Sequence, residues 1–101
     1  MKVLKGVLEE ERKRLKSAEA SYVREIGKLP KGSVQQKRIK DKEYAYRAYR
    51  KGARVVYEYL GKLEVGELKE LERKMDLRRR YEEKLREVRE NLRNVRRMVR
   101  G

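Results

Sequence analysis

The spacing of apolar side chains changes period twice along this chain, and that change restricts the fold more than any other feature. From Leu4 through Leu8, Leu15, Ala18 and Tyr22 to Ile26 they recur every third or fourth place, with Glu11 filling one step. This is one stripe down an α-helix. Between Ser33 and Leu60 the period falls to two, the repeat of an extended strand. From Tyr81 through Leu85, Val88, Leu92 and Val95 to Val99 the spacing of three and four returns as a heptad seam. The chain is therefore expected in the α+β class: a long helix, a three-stranded antiparallel β-meander and a longer helix. It is read as a single domain over residues 1–101, with a helix at 1–27, the meander at 31–62 and the second helix at 65–100.

Local signals place the boundaries. Gly27 falls where a left-handed helix cap would sit, and Pro30 follows, a combination that stops a helix. Ser33 to Lys40 is expected as the first strand, Asp41-Lys42 as a turn and Glu43 to Arg50 as the second strand. Lys51-Gly52 is expected as the second turn and Ala53 to Leu60 as the third strand. In the second strand Tyr44, Tyr46 and Ala48 alternate with Ala45, Arg47 and Tyr49; in the third Val55, Tyr57 and Tyr59 alternate with Arg54, Val56, Glu58 and Leu60. Three strands bury little alone, so one tyrosine set, with Val55 and Leu60, is expected to be partly core. The other face is then the wet and basic one.

The second helix carries an internal discontinuity. Leu68, Leu71 and Met75 form a seam of their own, but Met75 and Tyr81 are six residues apart, one short of a heptad. Such a step alters the supercoil locally or marks a change of packing partner, and Arg78, Arg79 and Arg80 lie at it. Two helices flanking a meander are expected to pack antiparallel, in coiled-coil fashion, with the second about ten residues longer, roughly 15 Å of helix. Leu92, Val95, Met98 and Val99 would then lack cover, which predicts a homodimer with helices paired between subunits.

The residue types missing from the chain narrow its chemistry. It has no Cys and no His, which removes disulfides, Cys/His zinc sites and Cys or His catalysis. Ser17 and Ser21 share a helical face without a base, Ser33 reads as a turn residue, and Asp41 and Asp76 are not clustered as a two-metal centre requires. A phosphate loop is missing too. No enzymatic activity, cofactor, metal or small-molecule substrate is expected. No apolar run reaches the ~20 residues of a membrane span, and the N-terminus does not read as a secretory signal; a cytoplasmic protein with no membrane partner is expected.

Charge points instead to a polyanion. Lys and Arg number 31 against 17 Asp and Glu, a net +14, and such an excess attracts nucleic acid at long range. A thermophile-like surface rich in ion pairs is the competing explanation, but such surfaces balance their signs. Between Lys28 and Lys62 stand eleven Lys/Arg against three Asp/Glu, with five of the seven tyrosines. Lys37, Arg38, Lys40, Lys42, Arg47, Arg50, Lys51 and Arg54 crowd this segment and are candidates for phosphate contact, with one or two Arg available for guanine edges and Gln35 and Gln36 for adenine. Arg78, Arg79 and Arg80 are further candidates, with a C-terminal cluster around Arg96, Arg97 and Arg100. The tyrosines have two readings, packing within the sheet and stacking on unpaired bases.

The order Leu29-Pro30-Lys31-Gly32-Ser33, Lys37 to Ile39, Tyr44-Ala45-Tyr46, Tyr49-Arg50-Lys51-Gly52 and Tyr59-Leu60-Gly61-Lys62 resembles a module of small uncharacterised archaeal and bacterial proteins. It covers about a third of the chain and implies no established activity. The same pattern is more loosely similar to the arm-type DNA-binding domain of tyrosine recombinases, whose three-stranded sheet docks in the major groove. That resemblance implies DNA contact through Lys37, Arg38, Arg47, Arg50 and Arg54; the recombinase catalytic residues have no counterpart here, and the long helices depart from the pattern. The expected function is non-enzymatic nucleic-acid binding, DNA before RNA, through the basic meander. The alternative is a coiled-coil homo-oligomeric structural or protein-interaction module.

Overall fold

The apolar stripe between Leu4 and Ile26 forms a single helix, α1 (Lys2–Gly27), followed by β1 (Ser33–Ile39), β2 (Lys42–Lys51), β3 (Arg54–Gly61) and a second helix, α2 (Val65–Arg100). The computed structural model describes residues 2–100, with side chains from Leu4 onward. The strands form one antiparallel sheet in the order β1-β2-β3, so the α+β arrangement expected from the periodicity is the one observed. The two helices pack together. The chain divides into two compact units, one made of α1 and α2 from Arg79 onward, the other of Leu29–Arg78.

In the helical unit, Leu15, Leu92 and Val95 form a buried cluster, with Leu8, Val88 and Val99 packed against it. Toward the other end the Tyr22 and Tyr81 rings meet at 5.8 Å, and the Arg89 guanidinium donates to Glu19 at 3.1 Å. Rising numbers on α1 meet falling numbers on α2, so the helices are antiparallel. Leu92 is 2% exposed and Val95 8%, both covered by α1 of the same chain. The expectation that the C-terminal seam lacks cover is thereby corrected for Leu92, Val95 and Val99; Met98 alone of that group is exposed. The extra length of α2 lies at its N-terminal end, in the other unit, and not at its C-terminal end.

The step between Met75 and Tyr81 has the same origin. The units divide between Arg78 and Arg79, so α2 changes packing partners where its apolar pattern slips. A helix serving two cores has no reason to keep one phase.

The helix ends depart from expectation in mechanism. α1 stops at Gly27, but Gly27 is not among the residues with positive φ. Its last turn instead tightens, the Lys28 N–H reaching the Glu25 carbonyl at 3.2 Å, a three-residue closure that needs no left-handed residue. At the start of α2 the Glu64 carbonyl accepts from the Leu68 N–H at 2.9 Å, and the Glu67 carboxylate accepts from the Glu64 N–H at 3.2 Å. Glu67 thus supplies the returning half of a capping box and places negative charge at the positive helix end.

Both hairpin turns lie one residue from their expected positions. Ile39 pairs with Lys42 and Lys51 with Arg54, leaving Lys40-Asp41 and Gly52-Ala53 as the turns. In each the first residue alone has positive φ, 55° at Lys40 and 64° at Gly52, the φ pattern of a II′ turn. A turn displaced by one place slides the pairing by two, so every side chain keeps the face that alternation assigns it. A register shift between Ala45 and Tyr46 lets Gly61 face Ala45, with Leu60 the additional residue on β3.

Candidate nucleic-acid interface

Register and alternation divide the sheet into two unlike faces. One carries Gln35, Lys37 and Ile39 from β1, Lys42, Tyr44, Tyr46, Ala48 and Arg50 from β2, and Val55, Tyr57 and Tyr59 from β3. The other carries Gln36 and Arg38, then Glu43, Ala45, Arg47, Tyr49 and Lys51, then Arg54, Val56 and Glu58. Both strand carboxylates, Glu43 and Glu58, are on this second face. The tyrosine-rich face has Lys37, Lys42 and Arg50 and, among its strand residues, no acid.

The second face is the one the protein covers. Arg47 is held there from three sides: its guanidinium donates to the Lys31 carbonyl at 3.2 Å, pairs with Glu58 at 3.1 Å and stacks 4.1 Å from the Tyr49 ring centre. The Lys31 ammonium donates to the Arg50 carbonyl at 2.9 Å and lies 5.5 Å from the same ring. The chain entering β1 therefore crosses this side. Gly32 makes the crossing possible, because a Cβ there would collide with the Ala48 carbonyl oxygen. Ala45 is 2% exposed, while Tyr49 and Val56 are half-buried.

The tyrosine face is open. Tyr57 and Tyr59 are 57% and 59% exposed, Val55 52% and Ile39 50%. The expectation that one tyrosine set, with Val55 and Leu60, would be partly core is met only in part: Tyr44, Tyr46 and Leu60 are half-buried, whereas Val55, Tyr57 and Tyr59 are more than half in solvent. Gly32 lets the entering backbone approach the Ala45 side, while on the tyrosine face Ala48 alone is buried, at 8% exposure. The rings order one another. Tyr59 lies 5.3 Å from Tyr46 and 6.2 Å from Tyr44, both tilted, and the Lys37 ammonium sits 5.4 Å from Tyr46 and 5.7 Å from Tyr57. Ile39, Tyr44, Tyr46 and Tyr59 line a hollow of about 380 Å³.

The candidate cations are not gathered on one flank. Lys37 and Arg50 lie on the tyrosine face and Arg38, Lys51 and Arg54 on the opposite one, while Lys40 is exposed in the first turn. Arg47 is a structural residue: its side chain is 20% exposed and all its named partners belong to the fold. Arg78 is half-buried and donates to the Leu29 carbonyl at 2.6 Å. Arg79 and Arg80 are exposed on α2 and belong to the helical unit. The signal that sorts these residues was in the sequence: two-residue turns fix the parity of pairing, and parity puts Tyr44, Tyr46, Tyr57 and Tyr59 together. Arg47's role was not legible, because Lys31 reaches it only through the fold.

Elsewhere several ionisable groups pair along the helices. Arg14 donates to Glu11 and Arg73 to Glu70; these hydrogen bonds hold both carboxyls below the usual carboxylate range and raise both guanidinium groups. Among the described residues no cluster of His, Cys, Asp or Glu could hold a metal ion, and no helix is long and apolar enough to cross a membrane. Comparison with protein families, curated proteins and solved structures finds no match to the chain.

Proposed function

We propose that this chain is a non-enzymatic nucleic-acid-binding protein, with DNA preferred to RNA, whose contact surface is the β-meander. The observation that carries the reading is the uncompensated charge of the sheet. Lys37, Arg38, Lys40, Lys42, Arg50, Lys51 and Arg54 are all exposed, against only Asp41 and Glu43, since Glu58 is engaged by Arg47. A ribbon of antiparallel strands fits the width of a major groove, which is also what the looser resemblance to recombinase arm-binding domains implies. Phosphate neutralisation by these side chains makes affinity fall steeply with salt.

The test is fluorescence anisotropy of labelled oligonucleotides, single-stranded and duplex, DNA and RNA, titrated across a salt series. Binding that weakens steeply with salt is expected. Reversal of Arg50 and Arg54 to Glu is expected to weaken it by at least about tenfold, each lost phosphate contact also flattening the salt slope by about one. No binding at low salt, or binding indifferent to these reversals, defeats the reading.

A second reading, homo-oligomerisation, draws on the helical unit. Leu4, Val7 and Met98 are each more than half exposed, and all lie toward the end where Leu8 and Val99 join the core. A homodimer through this end is expected to sediment at twice the chain mass and to revert to one chain mass in a Leu4→Glu, Val7→Glu variant.

A further inference from the structure

We infer that the tyrosine face is a stacking platform for an unpaired nucleic-acid strand. The inference rests on the nucleic-acid reading above and assigns this face an unpaired strand in place of a duplex groove. Three observations converge on this face. Tyr44, Tyr46, Tyr57 and Tyr59 share it by register, and two of the four residues are more than half exposed. Its strand cations, Lys37, Lys42 and Arg50, meet no strand carboxylate there, whereas the opposite face holds both Glu43 and Glu58. The hollow of about 380 Å³ is walled by Ile39 and three of the tyrosines.

Aromatic faces alone would suit any flat apolar partner; aromatic faces interleaved with unopposed cations suit a chain of bases joined by phosphates. Every base has a π-face, and stacking on protein rings is strong and tolerant of sequence. In a duplex those faces are already stacked on one another, so only an unpaired strand can offer them. Lys37 is placed for both tasks. Its ammonium lies between Tyr46 and Tyr57, where it orders the rings and puts a positive charge beside any base seated on them. Tyr57 and Tyr59 are the residues to stack, since they are the more exposed of the four, Tyr44 and Tyr46 being half-buried.

A second copy of the chain is the competing occupant. Like charges disfavour it: a two-fold contact would set this cationic face, without a strand acid, against itself, on a chain whose net charge is already +14.

The experiment compares labelled single strands of about 12 nucleotides, oligo-dT and oligo-rU, with a duplex of equal length. The chain has seven Tyr and no Trp, so quenching of tyrosine emission reports ring–base contact directly. Single strands are expected to bind more tightly than duplex and to quench that emission. Tyr57→Ser with Tyr59→Ser is expected to weaken single-strand binding about tenfold or more, and Tyr57→Phe with Tyr59→Phe to preserve it, because stacking needs the ring and not the hydroxyl. Binding of either oligo-dT or oligo-rU in preference to duplex supports the platform. Duplex binding as tight as single-strand binding, indifferent to the serine pair, overturns the platform and leaves the electrostatic reading standing. Absence of binding to every oligonucleotide overturns both. A serine pair that halves the sedimenting mass and leaves single-strand affinity intact assigns the face to self-association and overturns the platform.

Discussion

At position 32 a methyl group would meet the Ala48 carbonyl oxygen and lie 2.9 Å from the Tyr49 Cβ. The backbone there has φ 104°, a value that residues with a Cβ rarely adopt. Gly32→Ala is accordingly expected to cost more than about 2 kcal/mol, read from urea unfolding; a midpoint close to that of the parent would show that the crossing segment is not held as described. Arg47 makes a second residue-scale case. Its planar fork spans a carbonyl, a carboxylate and a ring face, and lysine matches none of these geometries at once. Arg47→Lys is expected to lower stability by about 1–2 kcal/mol while oligonucleotide affinity, measured on the folded protein, stays within a factor of two or so. A large specific loss of affinity with unchanged stability would return Arg47 to the interface. Its charge alone suggested a phosphate contact. What removed it from that role was the carbonyl of Lys31 and the carboxylate of Glu58, and neither neighbour is visible from local sequence.

At the scale of elements, the helical unit depends on a narrow set of contacts. Leu92 is 2% exposed within the Leu15–Leu92–Val95 cluster, and its truncation to alanine is expected to cost about 2–5 kcal/mol. A loss below about 1 kcal/mol in thermal or chemical unfolding would mean that α1 does not pack there. The helix surfaces add a pH dependence of known sign. Glu11 and Glu70 are held below the usual carboxylate range, first by the hydrogen bonds from Arg14 and Arg73. Groups whose folded pKa is lowered contribute at neutral pH and lose that contribution as pH falls through the lowered value. Both pairs are on the surface, so the effect is small and salt-sensitive. Acid titration of the helical circular dichroism signal is expected to show a shallower loss in Glu11→Gln, Glu70→Gln than in the parent; identical acid limbs would remove these pairs from the stability account. The elements themselves were legible because each declares its own period. The mechanism that ends α1 was not, since Gly27 and Pro30 are equally compatible with a left-handed cap and with a tightened last turn.

Across the whole molecule, charge is the dominant property. A net +14 over 101 residues disfavours the compact state through self-repulsion. The short-range pairs between α1, α2 and their own neighbours offset only part of it, because exposed pairs contribute little each. Screening acts on the many long-range repulsions more than on the few close attractions. Raising sodium chloride from about 20 mM to about 300 mM is therefore expected to raise the thermal midpoint, at the same time as it weakens nucleic-acid binding. A midpoint that falls with salt would show that attractive pairs outweigh the repulsion. The opposite responses of stability and binding would separate a cationic surface kept for a polyanion from one balanced by its own acids.

Much of this protein follows from order along the chain alone. The periods of 3.6 and 2 set the sequence of helix, meander and helix, the short turns set the parity of pairing, and the step after Met75 marked where α2 changes partners. These are local consequences of backbone geometry, so a local pattern suffices to state them. Which sheet face meets water is a different kind of property. It was decided by the contacts of Lys31 with Arg47, Tyr49 and the Arg50 carbonyl, by the close approach that Gly32 allows, and by the ion pair that ties Arg47 to Glu58. Those contacts join residues far apart in sequence, so no local pattern states them. The alternation of Tyr44, Tyr46, Tyr57 and Tyr59 was therefore written in the sequence, and their exposure beside Lys37 was settled only by the tertiary fold.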